Sequence, residues 1–166
     1  MLGRVAVCVA ALAGLLTAAS DSAPDWQRIA WPFTRDAWPE GRAWRSDVIE
    51  VYVRPKIGFC NCTIGVADDE EVDRVSDVDL IDERFTPLQP GREIRIADLA
   101  GRSRLYQLKM PNGSLRAAEA IALSRKCDLV VALLSGDATD QTRHGAHEFL
   151  ASDAVMTWVH DVLQGR

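Results

Sequence analysis

The first nineteen residues constrain the chain more than any internal motif does. Met1-Leu2-Gly3-Arg4 is a short, positively charged start, and Val5 to Ala18 follows without a charge. Ala18-Ala19-Ser20 then crowds small residues together before the sequence turns polar at Asp21. That order is the tripartite pattern of a secretory signal peptide, so residues 1–19 are expected to be removed and to take no part in the fold. Cleavage is expected after Ala19, with Ser20 as the alternative. The apolar run falls short of the roughly 20 residues a bilayer-spanning helix needs, and Cys8 lies too early in it to be lipid-modified. The mature chain is therefore expected in a periplasm or the medium, with no stable membrane anchor. Sixteen arginines against three lysines suggest a GC-rich bacterial genome.

That destination gives the cysteines their meaning. Cys60, Cys62 and Cys127 survive cleavage, an odd number for an oxidising compartment. Cys60-Asn61-Cys62 falls where a strand is expected, and residues two apart on a strand share a face. Their Cα atoms would then stand about 6.6 Å apart, near the upper limit for a bridge between them. A disulfide from one of them to Cys127 is expected instead, with Cys62–Cys127 placed ahead of Cys60–Cys127. Three unpaired thiols are the second reading. The third is a working site, in which Cys60 and Cys62 chelate a soft ion such as Cu(I) or exchange disulfides.

Charge removes other partners. The full chain carries −5 at neutral pH, and loss of Arg4 makes it −6. With no basic stripe to offset this, nucleic acid and anionic lipid surfaces are repelled.

Residues 20–46 are rich in Trp and Pro and read as an extended arm. Trp26, Trp31, Trp38 and Trp44 follow no common period, and the prolines after Trp31 and Trp38 favour extended or turn backbone. Indoles anchored in the domain are the ordinary reading of such an arm; an exposed platform using Trp31 and Trp38 to bind a ligand is the sharper one. The remainder, 47–166, reads as one domain. Val48 to Val53 and Ile57 to Ile64 are strand candidates. Asp68 with Glu71 three residues on is a capping box opening a helix that carries Val72 and Val75 on one face. Glu93 to Leu99 and Ser103 to Met110 alternate around Ala100-Gly101-Arg102, which predicts an antiparallel hairpin. Pro111-Asn112-Gly113 breaks the pattern, and Ser114 is expected to cap a helix of strong formers reaching Lys126. Asp128 to Leu134 is a near-continuous apolar strand, central in the sheet. Two helices close the chain, the last from Ser152-Asp153 with Ala154, Val155, Trp158, Val159, Val162 and Leu163 on one face. Adjacent hairpins argue for an antiparallel sheet with helices packed on it, an α+β class.

Catalytic chemistry finds little purchase. There is no Gly-x-Ser-x-Gly and no Gly-rich phosphate loop, and no local partner nominates His144, His147 or His160 as a base. His144 and His147 before Glu148 reverse the order of the zinc-peptidase motif and read as surface residues. The carboxylates from Asp68 to Glu83 lack calcium-loop spacing and read as a solvated helix face. No catalytic residue and no cofactor is therefore expected.

Trp31-Pro32-Phe33 with Trp38-Pro39, the block Ile57-Gly58-Phe59-Cys60-Asn61-Cys62-Thr63, and the ending Phe149-Leu150, Ser152-Asp153-Ala154-Val155 and Trp158 together resemble a group of small exported alphaproteobacterial proteins. The resemblance implies export and a single domain, and carries over no site residue. A hairpin followed by helix, apolar strand and C-terminal helix is also similar to the Mog1/PsbP-type antiparallel α/β sandwich, which implies a fold and no function. Two functions remain: a non-catalytic exported binding or accessory module for a protein or small ligand, and a thiol-dependent protein working through Cys60 and Cys62.

Overall fold

A computed structural model describes residues 24–34, 38–58, 62–136 and 139–165. The signal segment and Cys60 lie outside the described residues. The strands are β1 (Gln27–Ile29), β2 (Arg42–Arg45), β3 (Ile49–Lys56), β4 (Thr86–Pro87), β5 (Arg92–Ile96), β6 (Leu99–Lys109), β7 (Leu115–Arg125) and β8 (Asp128–Gly136). The helices are α1 (Asp69–Val75), α2 (Val78–Ile81), α3 (Asp140–Leu150) and α4 (Asp153–Leu163). All eight strands join one antiparallel sheet in the order β1-β2-β3-β8-β7-β6-β4, with β5 pairing the other half of β6's outer edge. The class is α+β, in a single compact domain.

The sheet is covered on both faces. Trp44, Val51, Val53, Ile121, Leu123, Val130 and Leu134 face α3 and α4, which answer with Ala146, Leu150, Val155, Met156 and Val159. Tyr52, Tyr106, Ala118, Ala120, Ala122, Val131 and Leu133 face α1 through Val72 and Val75. Each fully buried aliphatic side chain contributes roughly 1.5–3 kcal/mol, so this double core is the main source of stability. β8, buried on both faces and paired on both edges, is the central apolar strand the sequence predicts. On α4 the buried stripe is Val155, Met156 and Val159, flanked by Trp158 and Leu163, while Ala154 faces solvent.

β7 overturns the expected helix from Ser114 to Lys126. Helix propensity is a weak prior, and here pairing with β6 and β8 satisfies the backbone on both sides. Ala118, Ala120 and Ala122 alternate with Glu119, Ile121 and Leu123, a period of two obscured because both faces are buried. Ser114 caps nothing; its amide and hydroxyl donate to Asn112 Oδ1 inside the β6–β7 turn. The β5–β6 hairpin is present, but its turn is Ala97-Asp98, with Ala97 at φ 52°, rather than Ala100-Gly101-Arg102. Gly101 lies within β6, where a Cβ would come 1.9 Å from the Ala122 carbonyl oxygen. Of the second strand expected from Ile57 to Ile64, the described residues Ile57, Gly58 and Cys62 to Ile64 form turns instead, and the rest lie outside the described residues.

α1 begins as its capping box requires, Asp68 Oδ1 accepting from the Glu71 amide at 2.8 Å. The acidic segment is not merely solvated. Asp69 accepts from Arg102 at 2.7 Å, Asp73 from Arg104 at 2.6 Å and Tyr106 at 2.5 Å, and Asp77 from Arg54 and Lys56. These carboxylates clamp α1 and its flanks to cations on β3 and β6. Arg54 and Lys56 are 4 % exposed, so Asp77 supplies countercharge to two buried cations.

Candidate functional site

The described part of the Trp-rich arm is the outer edge of the sheet. β1 pairs β2 in the register Arg28↔Trp44, and β2 pairs β3. Alternation along β2 sends Arg42 and Trp44 to one face and Ala43 to the other. Trp44 meets Phe149 at 5.4 Å and Trp158 at 6.1 Å between ring centroids, and Trp26 stacks on Phe149 at 4.4 Å. Two indoles of the arm therefore dock the edge strands onto the helical layer.

Trp31 goes to the opposite face, edge-on to Phe33 at 5.0 Å and Tyr52 at 6.3 Å, with the Arg54 guanidinium 5.9 Å from its ring. It lies directly over Gly41, where a Cβ would stand 2.4 Å from the ring. Glycine is required there by close approach, since any side chain would lift the indole.

Between Trp31 and α4 runs a groove of about 490 Å³, walled by Arg28, Trp31, Glu40, Arg42 and Trp158. The Arg42 guanidinium sits 4.5 Å over the Trp158 ring, a cation–π distance. Partial burial, and next the charge of Arg28, lower the Arg42 pKa from its ordinary value. Chemically the groove brings two indole side chains and two guanidiniums to one lining that is more polar than apolar. Of the two aromatics nominated from sequence, Trp31 lines the groove, whereas Trp38 is half-buried and does not.

Cys62 and Cys127 are joined by a disulfide, with Cα atoms 4.2 Å apart. Cys127 occupies the two-residue β7–β8 turn with Lys126, which takes φ 57°. The bond closes the turn segment after β3 over that hairpin. Beside it lies a wide groove of about 780 Å³ reaching from Cys62 and Ile64 to Glu93, Arg95, Gly101 and Lys126. Its charged lining residues are mixed in sign.

One buried polar cluster escaped the sequence. Glu119, 1 % exposed on β7, accepts its hydrogen bond from His147 of α3 at 3.1 Å between Oε2 and Nε2. Arg92 and Arg143 approach the same carboxylate at 3.8 and 3.9 Å. His147 is thus not the surface residue expected, whereas His144 is, paired at 3.4 Å with Glu148. Twenty-eight residues separate Glu119 from His147, too far for local spacing to announce the pair. Arg92 and Arg143 also line a small cavity of about 100 Å³, while the Glu119–His147 contact joins α3 to the sheet.

Among the described residues no helix is long and apolar enough to cross a membrane. No family model matches the chain, and searches of curated proteins and of solved structures found no match.

Proposed function

We propose that this chain is an exported, disulfide-bonded binding or accessory module that works without catalysis, through the groove between its Trp-rich arm and α4. The observation that carries this reading is the convergence of Trp31, Trp158, Arg28 and Arg42 on one concave surface of about 490 Å³. Its volume falls in the range of typical ligand clefts, roughly 300–1,000 Å³, and its guanidiniums are the placed polar groups such clefts use for orientation. The signal-peptide pattern and the Cys62–Cys127 bond support export to a periplasm or the medium.

A thiol function through Cys60 and Cys62 is the weaker reading. It requires Cys62 Sγ to be released from Cys127 before it can ligate Cu(I) or attack another disulfide.

The test is a ligand-detected NMR screen of small fragments against the mature protein and Trp31→Ala. Hits that compete with one another and vanish in the variant support the groove. Hits that bind both proteins alike would place the binding surface elsewhere and refute this reading.

A further inference from the structure

We infer that the ligand of this groove is an anionic ring compound, one carrying a phosphate or carboxylate on a flat apolar or sugar-like face. The inference rests on the groove being the binding surface and names what it selects.

The argument begins with charge. Arg28 and Arg42 stand on neighbouring strands of the same sheet face, since Arg28 pairs with Trp44 and Arg42 lies two residues before it. Among the described residues neither has a carboxylate partner, although most guanidiniums of this acidic chain do, including Arg45, Arg54, Arg84, Arg102 and Arg104. Two like charges held close in a partly enclosed groove repel each other, and an anion between them relieves that repulsion while gaining charge-assisted hydrogen bonds. Glu40 at the rim already has an interaction of its own.

The walls then choose the rest of the ligand. Trp158 is capped on one side by Arg42, and Trp31 is held edge-on by Phe33 and Tyr52 over Gly41, so both indoles are fixed before a ligand arrives. Prefixed aromatic walls favour a flat face, because little side-chain freedom is lost on binding. A bare inorganic anion would use the guanidiniums and leave these walls unused.

Phenyl phosphate, inorganic phosphate and phenol separate the two contributions, read through the indole N–H resonances of Trp31 and Trp158 in the folded mature protein. Phenyl phosphate is expected to shift both and to bind at least about tenfold more tightly than either fragment compound. Arg28→Ala, a change at an exposed residue, should weaken it by about tenfold and leave phenol unaffected. Equal binding of phenol and phenyl phosphate, or indifference to Arg28→Ala, overturns the anionic assignment while leaving the groove as a binding surface. Silence of both indoles toward all three compounds overturns the assignment and the groove together.

Discussion

Glu119 Oε2 lies 3.1 Å from His147 Nε2, and this contact joins the middle of the sheet to the helix above it. The other oxygen, Oε1, is buried without a hydrogen bond, and the two guanidiniums nearby stand beyond hydrogen-bonding distance. The carboxylate therefore depends on the imidazole. His147→Ala should cost about 1.5–3 kcal/mol, because it leaves a buried carboxylate with no hydrogen bond. A double-mutant cycle with Glu119→Ala should give a coupling of about 1–3 kcal/mol by urea unfolding. Additive single-mutant effects would mean that the pair does not hold α3.

The disulfide spans 65 residues of sequence. Closing a loop of that length contributes about 4 kcal/mol in the chain-entropy model. Reduction, or the double change Cys62→Ser with Cys127→Ser, should lower unfolding stability by an amount of that order, measured by denaturant titration with and without reductant. An unchanged midpoint would show that the bond adds nothing to the folded domain.

Gly41→Ala probes the arm. The added methyl must displace Trp31 or the Val53 carbonyl, which would stand 2.7 Å away. Overpacking of this kind costs about 1–3 kcal/mol. Phenyl phosphate binding should weaken in parallel, because the displaced indole is a wall of the groove. Unaltered Trp31 resonances in the variant would contradict the packing described.

Acid should loosen the α1 clamp. The Gly91 amide and then the Arg102 guanidinium hold the Asp69 carboxyl below the usual carboxylate range. A depressed folded-state pKa stabilises above the ordinary value near pH 4 and loses that contribution as pH falls through the lower, folded value. Asp69→Asn should therefore lower Tm at neutral pH and converge with the wild type in strong acid. Melting curves that stay parallel from neutral pH into strong acid would rule the clamp out.

The sequence was legible where its signals were local. The Asp68 cap and the apolar run of β8 appear where their residues predict, and the alternation around β5 and β6 gives the hairpin, though with its turn moved to Ala97-Asp98. β7 failed because its alanines favour helix in isolation, and only the flanking strands, remote in sequence, convert them to sheet. The acids of α1 read as solvated because their arginine partners sit some thirty residues away on β6. The groove was half visible: Trp31 could be nominated from the arm, but Arg28, Arg42 and Trp158 come from three elements and meet only in the fold. Glu119 was hidden altogether, one carboxylate inside a stretch of alanines.

The most direct test of an exported, disulfide-closed module is the intact mass of the protein recovered from its own host, followed by alkylation without reductant. The mature chain should begin at residue 20 and weigh less than its all-thiol form by the two hydrogens that one disulfide removes. Peptide mapping should find Cys62 joined to Cys127 and the alkyl group on Cys60. An intact N-terminus would contradict the destination, and alkylation of all three cysteines would contradict the disulfide chemistry.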